Sequence, residues 1–492
     1  MKLLSLLSKA CLAFLAVLSA AAAAPPNIVF IMTDQHSADA LSCRMGERYL
    51  KTPALDSLAA RGTFFSRAYT PNPLCMPARN SIFTGRYPHE TGITDNTKTT
   101  LDASAFVTMG THFRQAGYQT AYFGKWHLAY DEAATKTHGF ETLETGHIDA
   151  ENAALATKFL ARKHDQPFLL VVSFLNPHNV CELARDQQLN NGPIGKPPSV
   201  EKLPPAPANL APPRNEPDTM AQIRAGYHAN PQFPVGNFNP QMWQALRWGY
   251  YRLIEKVDAE IGKVLAALKA AGLEDNTLIV FTADHGECAG AHGFNQKTVF
   301  YEESARVPFI VSAPGQRAGR VSEKFTNTGI DILPTMLDFA SLPRPAKLPG
   351  FSLRPIALGQ PVALWRDDVV VQNNMSQTFP VAGNVPTTEG RMIRADRYKY
   401  CVYAHGQYRE SLVDLEKDPG EMNNLARDPA HRDTLLAMRE RLRKWGVETR
   451  DPLVAAMLAD DVKPREFAIV KTPKNAARAE GLGKQKKPKD HK

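Results

Sequence analysis

The chain has 492 residues, 43% of them hydrophobic and 22% charged, and carries a formal net charge of +8 at pH 7. That size and apolar content bury a large core, enough for one big domain with a smaller one, and exclude a wholly disordered chain. The basic balance does not mark a nucleic-acid partner: residues 471–492 hold eight Lys or Arg against Glu480 and Asp490, Lys2 and Lys9 supply the remaining excess, and the chain between is neutral.

Residues 1–24 read as an export signal. Met1 and Lys2, an apolar run from Ala10 to Leu18 and small residues from Ser19 to Ala24 follow the charged, apolar and small-residue order of such segments. The run is too short to span a bilayer, so no membrane span is expected. Pro25 blocks cleavage directly after Ala24, which puts the cut slightly earlier among the alanines. The expected location is the periplasm or the extracellular space. Beyond Cys11, the cysteines Cys43, Cys75, Cys181, Cys288 and Cys401 make neither a zinc signature nor a disulfide-dense framework. If Cys75 is consumed by modification, the other four are open to pairing in an oxidising compartment.

Asn27 to Thr33 (NIVFIMT) is a continuous apolar run ending at Asp34, the pattern of a strand buried on both faces of a parallel sheet. Leu169 to Leu175 (LLVVSFL) and Thr277 to Thr282 (TLIVFT) repeat it, followed by Asn176-Pro177-His178 and by Asp284-His285. Helical periodicity runs from about Gln241 to Ala271 and feeds the third strand through Gly272. Ligands of open α/β sheets bind beyond the carboxyl ends of the strands, so three strands deliver polar side chains to one edge.

Two regions break this rhythm. Asn191 to Asp218 is dense in proline and too long for a plain connection, which makes it either a functional surface loop or a partly disordered stretch. After Pro361, short strand-like stretches (Asp368 to Gln372, Met392 to Ile393, Tyr398 to Tyr403) precede a helix from about His431 to Trp445. We therefore expect a main domain over 25–362, a smaller α+β subdomain over 363–460, and a basic, disordered tail over 461–492.

The chemistry turns on Pro73 to Arg86, PLCMPARNSIFTGR, which contains Cys-x-Pro-x-Arg followed by Thr84-Gly85-Arg86. This resembles the signature of the type I, formylglycine-dependent sulfatases of the alkaline phosphatase superfamily. Further family motifs occur in the family's order: Asp34-Gln35, Gly124 to Leu128 (GKWHL), Pro177-His178, Asp284-His285-Gly286, Gly293 to Lys297, Tyr301 to Pro308 (YEESARVP) and Val413 to Leu425. The resemblance covers nearly the whole mature chain. It implies an α/β fold, a mainly parallel sheet sandwiched by helices, and hydrolysis of sulfate esters.

In that family a maturation enzyme oxidises the cysteine to formylglycine, and one hydroxyl of the hydrated aldehyde attacks sulfur. The second hydroxyl, once deprotonated, lets the carbon collapse back to the aldehyde and expel sulfate. By position, Asp34, Gln35, Cys75, Asp284 and His285 match the residues around the family's divalent metal. The commoner pattern has Asp where Gln35 stands and often Asn where His285 stands, so calcium is expected with manganese as its rival. Arg79 matches the residue that holds the hydrated aldehyde, Lys125 and Lys297 those that bind sulfate oxygens, His127 the base for collapse, and His178 the contact to the leaving oxygen. A sulfated glycan or a sulfated small molecule is the expected substrate. The alternatives are a phosphodiester or phosphonate monoester hydrolase on the same core, and a catalytically silent glycan-binding protein.

Overall fold

The structure, a computed structural model, describes residues 24–97 and 100–459. The expected signal segment (all but Ala24) and the expected tail therefore lie outside the described residues. No helix among the described residues is long and apolar enough to cross a membrane.

Among the described residues, fourteen strands form three sheets. In chain order they are β1 (Asn27–Asp34), β2 (Thr63–Phe65), β3 (Ala68–Tyr69), β4 (Gln119–Gly124), β5 (Thr142–Thr145), β6 (Phe168–Pro177) and β7 (Thr277–Ala283). They continue with β8 (Phe309–Ser312), β9 (Arg320–Ser322), β10 (Thr326–Asn327), β11 (Asp368–Met375), β12 (Thr388–Ala395), β13 (Tyr398–Tyr403) and β14 (Glu410–Asp414). The main sheet has the order β5-β4-β6-β1-β7-β8-β2-β9. It is parallel throughout except at β8, which runs antiparallel to both β7 and β2.

The period of two along β1 explains the sandwich. Ile28, Phe30 and Met32 pack with Ile82 and Phe83 of the Cys75–Thr84 helix and with Ile332, Leu333 and Met336 of the Thr328–Phe339 helix. Val29 and Ile31 face the other way, onto Ala153 and Phe159 of the Asp149–Leu160 helix and Val257, Ile261 and Val264 of the Pro240–Ala270 helix. Alternate side chains thus bury in opposite layers, each buried aliphatic contributing about 1.5–3 kcal/mol, and only a continuous apolar run satisfies both.

The antiparallel sheet β11-β12-β13-β14 is sandwiched as well. Val370, Ile393, Tyr400 and Leu412 pack against Leu435, Met438, Leu442 and Trp445 of the Arg432–Thr449 helix. On its opposite face Val369, Val371, Met392 and Cys401 meet Met220, Ile223, Tyr227 and Phe300 from the main body.

The expected strands and helices are present with three differences. β12 is longer than Met392 to Ile393, because Arg391 and Arg394, which read as polar breaks, are buried: Arg391 Nε donates to Asp451 Oδ2 at 2.8 Å and Arg394 Nη1 donates to the Tyr398 carbonyl at 3.2 Å. β2 to β5, β8 to β10 and β14 were not anticipated; the short ESLVD run of β14 offers only Leu412 and Val413 as apolar signal. The proline-rich segment is irregular but packed. Ile194, Ala206 and Leu210 lie against Trp243 and Leu246, and the Arg214 N–H donates to the Met422 carbonyl at 2.8 Å. All five cysteines among the described residues are free, Cys43 exposed and the others buried, so the pairing left open by the sequence does not occur.

Candidate active site

The carboxyl ends of β1, β4, β6 and β7 meet the N-terminus of the Cys75–Thr84 helix. β1 ends in Asp34, the loop after β4 carries Lys125 and His127, β6 leads to His178, and β7 leads to Asp284 and His285. Gly124 lets β4 and β6 close on one another. Its φ is +113°, and a Cβ there would lie 1.9 Å from the Ser173 carbonyl oxygen, a contact that no other residue tolerates.

Arg79 is the hub of the charged network. It is fully buried, and its Nη2 donates to Asp34 Oδ2 at 2.8 Å while Nε donates to Asp284 Oδ2 at 2.8 Å. Its Nη1 donates to the Lys125 carbonyl at 3.0 Å and to Ser173 Oγ at 2.9 Å. The guanidinium fork orients both carboxylates at once. Lys125 Nζ adds a second cation 2.6 Å from Asp34 Oδ2. Burial works to raise the Asp34 pKa, but Lys125, His178, Arg79 and Lys297 together hold its carboxyl well below the usual range.

Cys75 stands at the centre, buried. Its Sγ is 3.1 Å from His285 Nε2, 3.4 Å from Lys297 Nζ, 3.8 Å from Asp34 Oδ1 and 4.0 Å from Lys125 Nζ. His178 lies within electrostatic reach of Lys125, Lys297 and Asp34. Burial and Asp34 oppose thiolate formation, yet Lys125, Lys297 and His285 outweigh them and hold the thiol well below its ordinary pKa.

The donor set fits a divalent cation. Asp34, Cys75, Asp284 and His285 offer ligand atoms that all lie within 4.8 Å of one another, and all four residues are buried. His285 Nδ1 lies 3.0 Å from the Gly286 carbonyl; an N–H donated there leaves the Nε2 lone pair facing the cluster. Two carboxylates favour a hard ion such as calcium, and the imidazole admits manganese. Gln35 sits beside this group. Its backbone N–H donates to Asp284 Oδ1 at 3.1 Å, its Oε1 accepts from Lys297 Nζ at 2.6 Å, and its Nε2 donates to Glu287 Oε2 at 2.5 Å.

His127 has φ +47° and a buried Nδ1 without a hydrogen-bond partner among the described residues. Its loop is held by Trp126 Nε1 donating to the Tyr130 carbonyl at 2.9 Å and by the Ala129 N–H donating to Asn80 Oδ1 at 3.0 Å. Lys125, His127 and His178 line one cleft with Asp131, Glu132, His147 and Glu182. The structure thus gathers every residue singled out from the sequence around Cys75 or its cleft. The sequence reading missed Ser173 and Glu287. Both left a signal: Ser173 is the one polar residue in LLVVSFL, and Glu287 follows His285 by two positions.

A family profile described as Sulfatase matches residues 26–342, and one described as N-sulphoglucosamine sulphohydrolase, C-terminal, matches residues 290–448. The chain is 30% identical over 457 residues to a Delta 4,5-hexuronate-2-O-sulfatase of Bacteroides thetaiotaomicron, covering 89% of this chain and 92% of that protein. An N-acetylglucosamine-6-O-sulfatase of the same bacterium is 28% identical over 478 residues, covering 81% of this chain and 82% of that one. A solved structure of a 2-O GAG sulfatase is 28% identical and superposes with a TM-score of 0.75, covering 87% of this chain and 93% of that one.

Proposed function

The chain belongs to the sulfatase family and hydrolyses sulfate esters of carbohydrates, and from that premise we propose that the reaction runs at residue 75, as formylglycine made from Cys75. The observation that carries the proposal is the buried convergence on Cys75 of two ammonium groups, a carboxylate and an imidazole, all within 4.0 Å of Sγ.

Formylglycine supplies a hydrated aldehyde as nucleophile, and a divalent ion held by Asp34, Gln35, Asp284 and His285 supplies Lewis acidity toward the sulfate oxygens. Gln35 Oε1 accepts from Lys297 Nζ at 2.6 Å and would offer its other lone pair to that ion in place of the weak Cys181 thiol, 3.6 Å away. Arg79 locks Asp34 and Asp284 in one orientation and keeps one Nη2 hydrogen for the nucleophile at residue 75. Lys125 and Lys297 flank that residue and balance the negative oxygens of the bound ester. His178 stands against residue 75 and hydrogen-bonds the leaving oxygen, where charge develops as the S–O bond breaks. His127, with Nδ1 unpartnered, takes the proton that lets sulfate depart. Calcium is the proposed ion.

Residues 1–24 support export to the periplasm or beyond. A formylglycine-generating enzyme is the partner this chemistry requires. The proposed division is a catalytic domain over 25–362 and a C-terminal subdomain over 363–460.

The test is mass spectrometry of the peptide holding residue 75, paired with turnover of a small aryl sulfate. Active protein should carry formylglycine there, and Cys75→Ala should fold but show no turnover. Full activity in protein with only the unmodified thiol would overturn the proposal.

A further inference from the structure

The sulfate-binding centre and the cleft leading from it have opposite electrostatic character. Around Cys75 the cations Arg79, Lys125 and Lys297 are buried, matched to an anionic ester. The cleft that Lys125, His127 and His178 share carries in addition Asp131, Glu132 and Glu182, with His147 and Asn190. Glu182 is neutralised by Arg185, whose Nη2 is 2.5 Å from Glu182 Oε1. Asp131 and Glu132 are exposed and make no ion pair among the described residues. Among the described residues their carboxylates accept only from the Ala133 N–H at 3.0 Å and from Thr145 Oγ1 at 2.8 Å, which leaves most of their carboxylate lone pairs open.

Building on the sulfatase reading, we propose that this cleft selects a leaving sugar that bears no second anion: a neutral hexose or hexosamine monosulfate, not a uronic acid sulfate or a disulfate. Carboxylates accept hydrogen bonds from sugar hydroxyls and attract an amine, while they repel a carboxylate or a second sulfate on the same ring. Tyr130 and Leu175 add apolar wall for ring C–H groups. Two like charges about 8 Å apart in a half-solvated, salt-screened cleft disfavour binding about threefold each, so two such carboxylates give about tenfold discrimination.

The experiment uses the mature, formylglycine-bearing enzyme and sugar pairs that share one ester position and differ only in the second anion. These are N-acetylglucosamine 6-sulfate against glucosamine 2-N,6-O-disulfate, and glucose 2-sulfate against glucuronate 2-sulfate. Within whichever pair is turned over, the singly anionic member should have the higher kcat/KM by about tenfold. Asp131→Asn combined with Glu132→Gln should shrink that gap at least threefold, because the doubly anionic member gains relative to the singly anionic one. Preference for the doubly anionic member, or an equal change on both members, would overturn the inference. Turnover of an aryl sulfate, measured in parallel, separates this failure from failure of the sulfatase reading: an enzyme inactive on every ester would sink both.

Discussion

Gln35 and Glu287 are joined by a buried hydrogen bond, the glutamine Nε2 donating to the glutamate Oε2 at 2.5 Å. The other oxygen of the same carboxylate accepts from the backbone N–H groups of Ala289 at 2.8 Å and Gln296 at 2.6 Å. One buried acid therefore ties the end of β1 to the loop that delivers Lys297, whose Nζ returns to Gln35 Oε1 at 2.6 Å. Glu287 is a positioning residue: it fixes the Gln35 side chain and the backbone beside Lys297, whose Nζ is 3.4 Å from Cys75 Sγ.

This ring predicts a swap experiment. Gln35→Glu removes the donor and sets two carboxylates against each other, which should cost about 1–3 kcal/mol of stability. Gln35→Glu combined with Glu287→Gln restores a donor and an acceptor in reversed order and should recover at least half of the loss. Thermal melts of the four proteins in a double-mutant cycle give the coupling directly. Additive losses would mean that the two residues do not act as a unit.

Arg79→Lys keeps the charge and loses the fork. A lysine ammonium cannot donate along the fixed directions that reach Asp34 and Asp284 together. Misorienting both carboxylates should lower kcat/KM by about 100-fold. It should also weaken divalent-metal affinity, read by titrating metal into the stripped protein. Wild-type metal affinity in this variant would show that the carboxylates orient themselves.

Gly124→Ala tests the close approach of β4 to β6. With φ at +113° and the Ser173 carbonyl 1.9 Å from the new Cβ, the strand ends must part. The expected cost is about 3 kcal/mol or more, with loss of turnover because Lys125 is the next residue. Gly117→Ala is the control: its φ is +84° but a Cβ there meets nothing within 4 Å. That variant should lose about 1 kcal/mol and keep its activity. Equal melting points would refute the steric reading.

Asp258 predicts a pH dependence away from the active site. It sits in the Pro240–Ala270 helix and accepts from the backbone N–H groups of Ala54 at 3.0 Å and Leu55 at 2.9 Å. Burial raises its pKa to about 6 in spite of these bonds. Because the folded value lies above the unfolded one, this group's contribution is full below about pH 4 and is lost as pH rises through 6. Relative to Asp258→Asn, the wild type should therefore lose stability between pH 4 and pH 7, by on the order of 2–3 kcal/mol. Parallel melting curves across that range would refute it.

How much of this could be read from the sequence follows from what each feature depends on. β1, β6 and β7 were legible because a strand buried on both faces must be apolar at every position, and NIVFIMT, LLVVSFL and TLIVFT have little other reading. The residues around Cys75 were legible because their spacing in the chain resembles a family signature. β14 and the full length of β12 were not legible. Their polar residues are buried by partners such as Asp451, 60 positions from Arg391, and no local window contains both.

The sequence by itself determined the class of fold, the motif that holds Cys75 and the identity of the charged groups. Tertiary structure alone decided how those groups divide their hydrogen bonds. Arg79 spends its donors on Asp34 and Asp284, 45 and 205 positions away, and Gln35 meets Glu287 across 252 positions. The acidic cleft joins Asp131 and Glu132 to Glu182 through a fold that brings β4 and β6 side by side. Hydrogen bonds and Coulomb interactions act over a few ångströms of space, and distance along the chain carries no information about them until the sheet has set the register of its strands.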